Sequence, residues 1–132
     1  MRKNYTCLMF AAVSCFLSTT LLAADFDGSK PLVCATIDAH DCDPGQICLR
    51  ALPAELGAPQ FLRIDFAKKT VVGPVRTTPI RFMENGQGQI VMQGTELGYA
   101  WTIALDKATG SLAVTLVNRE DTLVLFGACT PM

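Results

Sequence analysis

The sequence is poor in the residues on which most enzyme chemistry depends. It contains one histidine, one tryptophan and two tyrosines. Beyond residue 24 the only serines are Ser29 and Ser111, and neither stands in a Gly-x-Ser-x-Gly turn. A hydrolase-type serine nucleophile therefore has no motif to rest on. No Cys-x-x-Cys pair occurs, and His40 sits close before Cys42, which is poor zinc-ligand spacing. His40 stands among Asp38, Asp41 and Asp43, but the alternate acids and closing Glu of a calcium-binding EF-hand loop are missing. There is no phosphate-cradling glycine loop, and no metal or cofactor is expected. Basic patches are absent too: Lys68 and Lys69 are the one adjacent basic pair beyond the N-terminus, a solvated turn in character, so no nucleic-acid partner is expected. Internal repeats, heptads and low-complexity tracts are also lacking.

The first residues form a unit of their own. Arg2 and Lys3 precede an apolar stretch through Leu22, followed by Ala23 and Ala24. This is the pattern of a secretory signal peptide, with cleavage expected after Ala24. An uncleaved anchor is the alternative, but the run lies at the short end for a span. Lipidation at Cys15 is another, and there the apolar run continues well past the cysteine. Residues 25–132 are then expected to form a single secreted β domain, periplasmic or released, with no membrane span. Removing Arg2 and Lys3 takes the formal net charge from −1 to −3.

Four cysteines remain: Cys34, Cys42, Cys48 and Cys129. An even count in an exported domain reads as a disulfide framework, for which three pairings exist. Asp43-Pro44-Gly45 is a turn able to bring Cys42 to Cys48, which leaves Cys34 for Cys129. The second bridge would staple the first strand to the last and stabilise the fold by about 4–5 kcal/mol in the chain-entropy model.

The remaining sequence reads as short strands. From Gln89 to Cys129, four apolar runs rich in Val, Ile, Leu and Thr are divided by turns too short to hold a helix. Tyr99, Trp101, Ile103 and Leu105 share one bulky face, and Ala100, Thr102 and Ala104 share a small one. Gly110 closes the turn Asp106–Gly110 where a left-handed residue is needed. Asn118–Asp121 forms the next turn. Upstream, Leu32–Ile37 is the first strand, with Leu32, Cys34 and Thr36 on one face. Phe61–Phe66 alternates Leu62, Ile64 and Phe66 against Phe61, Arg63 and Asp65, and turns through Lys68 and Lys69 into a partner. The prolines of Gly73–Pro79 mark an edge, bulge or loop. Ile80 and Phe82 are expected inward and Arg81 outward, before a turn at Asn85–Gly88. A short helix or loop is expected near residues 43–56. The expected fold class is all-β, a small antiparallel meander of seven to eight strands closing into a barrel or sandwich, its interior filled mostly by its own side chains.

The leading expectation is a non-enzymatic binding or interaction module whose partner is an envelope protein or a saccharide. No catalytic residue is assigned. Candidate binding residues are Tyr99 and Trp101, a flat aromatic pair, with Thr95 and Glu96 beside them. Core is the competing and favoured reading of the aromatics. The turns Thr95–Gly98 and Asn85–Gly88 are the expected contact surface. One alternative is a small hydrolase using carboxylates or His40. Another is a carrier of a small apolar ligand, with a cavity lined by Trp101, Phe82 and Phe126.

Several blocks carry a resemblance: FDGSKPLVCA, the Cys42/Cys48 pair, FLRIDF, IVMQG-x-E-x-G-x-A-W and LVLFGACT. Together they resemble a family of small exported bacterial proteins of unknown function, over nearly all of residues 25–132. That resemblance implies export and a β fold, and no activity. A looser, architectural likeness is to the C-type lysozyme inhibitors, which are similar in size and are small antiparallel barrels with one cysteine near the first strand and another near the last. Their Ser-Gly-x-x-Tyr signature is replaced here by Gly94-Thr95-Glu96-Leu97-Gly98-Tyr99.

Overall fold

Residues 25–132 are described by a computed structural model. The expected signal peptide lies outside them. The strands are β1 (Leu32–Cys42), β2 (Leu49–Ala51), β3 (Phe61–Asp65), β4 (Thr70–Val72), β5 (Thr77–Pro79), β6 (Phe82–Asn85), β7 (Gln89–Glu96), β8 (Tyr99–Asp106), β9 (Ser111–Val117) and β10 (Thr122–Pro131). All pairings are antiparallel, in the order β5-β4-β3-β1-β10-β9-β8-β7-β6, with β2 added beside β1. The meander β7 to β10 follows from strict alternation. Met92, Trp101, Ile103, Leu105, Leu112, Val114 and Leu125 are buried on one face, while the alanines and threonines between them face out.

The sheet curls into a half-barrel around this face. Leu32, Ile64, Ile90, Leu105 and Leu125 are fully buried in it, each contributing about 1.5–3 kcal/mol relative to exposure. The two edges are joined by one bent segment, Thr77–Asn85. Ile80 donates its N–H to the Lys69 carbonyl on the β4 side at 2.8 Å, and Arg81 donates to the Gln93 carbonyl on the β7 side at 2.8 Å. This change of edge resets the alternation. Ile80 is buried as expected, but Phe82, expected inward, is 49% exposed opposite Gln93 on the outer face. Met83 packs inward in its place.

Strand β1 has two neighbours along one edge, β3 for Leu32–Ala35 and β2 for Ala39–Asp41. They divide at a bulge where Ile37 is the extra residue. Thr36, buried there, donates its hydroxyl to the Pro59 carbonyl at 2.6 Å and its N–H to the Gln60 carbonyl at 2.9 Å, tying the connection into β3. Both expected disulfides are present. Cys34–Cys129 joins directly opposed residues of β1 and β10, and Cys42–Cys48 closes the β1–β2 hairpin. A helix starting at Asp43 does not form. Gly45 adopts φ 75° and Gln46 N–H bonds the Asp43 carbonyl, so the chain reverses at once and Leu49–Ala51 becomes β2. The helical turn lies later, as a 3-10 turn at Pro53–Leu56.

Antiparallel order places the turns alternately at two ends of the half-barrel, and these ends differ. At one end the leader before β1 acts as a plug. Phe26 is buried beneath Gly110, whose φ of 73° and close approach to the ring leave no room for a side chain. Asn85 donates to the Asp27 carbonyl at 2.9 Å, and Lys107 Nζ reaches Asn85 Oδ1 at 2.8 Å and the Gly86 carbonyl at 3.0 Å. The other end has no such plug among the described residues.

Candidate functional site

The unplugged end gathers the β1–β2 loop, the 3-10 turn and its exit, the β4–β5 turn, the β7–β8 turn and the β9–β10 turn. Between the 3-10 turn with its exit, the β4–β5 turn and the β7–β8 turn opens a cleft of 590 Å³, walled by Leu56, Leu62, Val71, Tyr99, Leu116 and Leu123 among others. These are inward-facing residues of the outermost layer, so the cleft continues the hydrophobic interior into solvent. From the cleft wall a row runs across the sheet from Leu123 through Leu116 and Trp101 to Gly94. A Cβ at Gly94 would run into the Trp101 ring and stand 2.9 Å from the Pro79 carbonyl, so the glycine makes room for the indole.

The rim of the cleft is apolar where turns are ordinarily polar. Phe61 is exposed, Val75 is 84% exposed at the β4–β5 turn, and Leu97 is 70% exposed at the β7–β8 turn. Ile47 stands exposed on the disulfide-closed loop between β1 and β2 and does not line the cleft. Leu97 is unusual in a second respect. The two-residue turn Leu97-Gly98 requires left-handed backbone at both positions, and Leu97 adopts it with φ 49°. A leucine there costs about 1–2 kcal/mol, which asparagine or glycine would largely avoid. Strain of this kind, held on an exposed side chain, is a mark of functional sites.

Two charged groups line the cleft, and they face each other: Arg76 Nε lies 3.6 Å from Glu96 Oε1. Tyr99 stands at the edge, its hydroxyl donating to the Asp121 carboxylate at 3.1 Å. Burial, and then the neighbouring Asp121 carboxylate, push the Tyr99 phenol above its ordinary value. Glu55 is occupied structurally, accepting the Leu52 N–H at 2.9 Å.

The four expected binding residues separate in the fold. Tyr99 and Glu96 reach the cleft. Thr95 contributes its carbonyl, which accepts the Thr78 hydroxyl at 3.3 Å, and its side chain faces away. Trp101 is 5% exposed and offers no face to a ligand arriving from solvent. The turns Thr95–Gly98 and Asn85–Gly88 lie at opposite ends of the eight-residue strand β7, about 25 Å apart at 3.3 Å per residue. They cannot form one surface. Nor do Trp101, Phe82 and Phe126 line one cavity, because Phe82 and Phe126 lie on the outer face of the sheet. Ile47 and Val75 escaped notice in the sequence, and Leu97 was included only as part of the turn Thr95–Gly98. The available signal was an apolar residue at the tip of each polar turn, in DPGQIC, GPVR and ELGY.

His40 lies on the outer face, its Nε2 3.7 Å from Asp38 Oδ2 and its ring edge-on to Phe126. The Arg50 Nε bond to Asp38 at 2.7 Å holds that carboxyl below its usual range. His40 pairs with Val124 and Ser111 with Ala128 on β10, about 13 Å apart along the strand. Ser29 belongs to the leader at the plugged end. No serine is therefore brought to the imidazole. A shallow trough of 420 Å³ on the outer face, beside Phe126, Ala113 and Ala104, is floored by small side chains. Among the described residues no group of three His, Cys, Asp or Glu is placed to hold a metal, and no helix is long and apolar enough to cross a membrane. No family model, curated protein or solved structure matches the chain.

Proposed function

We propose that the protein is a non-enzymatic binding module that acts outside the cytoplasm and uses its unplugged end as the contact surface. The observation that carries this reading is Leu97, a large apolar side chain held in strained backbone, exposed, and set on the rim of an apolar cleft. Folding alone favours neither its exposure nor its conformation. Two disulfides in so short a domain support an oxidising compartment. The test is site-specific crosslinking with a photoreactive group at position 97 and, as control, at position 88. In an extract of the cell envelope, adducts are expected from position 97 and not from position 88. Equal labelling from both, or none from position 97, would count against the reading.

A second reading is kept because one observation favours it. The cleft volume of 590 Å³ falls inside the range of small-molecule sites. A carrier of a small apolar ligand would show a mass adduct after native purification.

A further inference from the structure

The occupant of the cleft can be narrowed from what surrounds it. The rim residues Phe61, Val75 and Leu97 line the cleft and yet are 64%, 84% and 70% exposed, so a small molecule seated deep between Leu62, Val71, Leu116 and Leu123 would leave most of their apolar surface in water. Covering both the hollow and its rim takes a broader body with a protruding apolar group, which is how protein interfaces place an anchor in a pocket with contacts around it.

Charge narrows it further. The loops at this end carry Asp43, Glu55, Glu96, Glu120 and Asp121 against Arg76 and Arg119. Arg76 faces Glu96, and Arg119 bonds Glu120 at 3.0 Å. That leaves Glu55, next to the cleft residues Ala54 and Leu56, and Asp121, bonded to the cleft residue Tyr99, without a cationic partner at the mouth. At the plugged end Lys30 pairs with Asp25 and Lys68 with Asp65. An anionic lipid surface would be repelled by such a rim, whereas a basic polypeptide would be drawn to it.

We propose that the cleft receives a protein partner through a protruding loop whose tip is a bulky apolar side chain flanked by lysine or arginine. The tip fills the space above Leu116 and Leu123, and the flanking cations meet Glu55 and Asp121. This inference rests on the reading of the unplugged end as the binding surface.

A random cyclic peptide library, selected on the immobilised disulfide-bonded protein, tests it. Selected peptides are expected to carry Trp, Phe, Tyr or Leu beside Lys or Arg. Their affinity should fall at least tenfold when the anchor becomes Ala, and should weaken as salt is added. Leu97→Asn should weaken them at least fivefold. Because Asn tolerates left-handed backbone, that variant is expected to fold at least as well as the parent, so its loss of binding is not a folding defect. Gln87→Ala, in the turn at the other end, should leave affinity unchanged. Binders at this mouth that are acidic or uncharged would overturn the partner chemistry and leave the binding surface standing. Binders that ignore both Leu97→Asn and Val75→Asp would overturn the two together. Co-sedimentation with phosphatidylcholine or phosphatidylglycerol vesicles that depends on Leu97 would replace the protein partner with a membrane.

Discussion

At the scale of single residues, the fold shows where a side chain serves packing and where it does not. Gly94 is needed because the Trp101 ring occupies the place of its side chain. Gly94→Ala is expected to destabilise the protein by about 1–3 kcal/mol, read as a lower denaturant midpoint with unchanged slope. Leu97 is the opposite case. Relieving its backbone with Leu97→Asn should raise stability by about 1 kcal/mol, a gain in the same experiment that costs binding in the other. An unchanged or lower midpoint for this variant would remove the strain from the reasoning. Tyr99 reports on the edge of the cleft. The folded state holds its phenolic proton more tightly than the unfolded chain does. The associated stability is therefore present below the unfolded value, about 10, and is lost as pH rises through the raised folded value. Asp121→Asn should move the Tyr99 titration part of the way back toward the ordinary value, since burial remains. Phenolate absorbance of residues 25–132, in which Tyr99 is the one tyrosine, measures it directly.

At the scale of elements, legibility depended on how locally each strand is determined. Strands β7 to β10 could be read from the sequence because a bulky inward residue recurs at every second position of most of each strand and each turn carries its own signal, Gly110 above all. Strand β2 could not, because Leu49–Ala51 is a strand only by virtue of the reversal at Asp43–Gln46 and the bridge that closes it. Phe82 was misplaced because the switch of partner at Ile80 and Arg81 is a tertiary event with no mark in the alternation. The cleft was almost invisible. It is assembled from three turns distant in sequence together with the strand ends beneath them, and only Tyr99 and Glu96 among the four expected binding residues belong to it. The dependence of β2 on its bridge is testable. Replacing Cys42 and Cys48 with serine should cost about 2 kcal/mol and speed amide exchange in Leu49–Ala51, while β7 to β10 stay protected. Equal acceleration in β8 and β9 would show that the hairpin is integral to the core.

At the scale of the whole molecule, the half-barrel is asymmetric along its axis, sealed at one end by its own leader and hollow at the other. Phe26 is the centre of that seal. Phe26→Ala should cost about 3–5 kcal/mol and admit an apolar dye at the plugged end, seen as fluorescence enhancement; a loss below about 1 kcal/mol would mean the leader merely lies on the surface. The strand order has a further result for how the molecule sits in its surroundings. The Met132 N–H bonds the Pro31 carbonyl at 3.0 Å, so the chain enters and leaves the domain side by side at the sealed pole. Anything fastened to either terminus, whether a tether, a tag or a solid support, holds the domain from behind and points its hydrophobic opening outward.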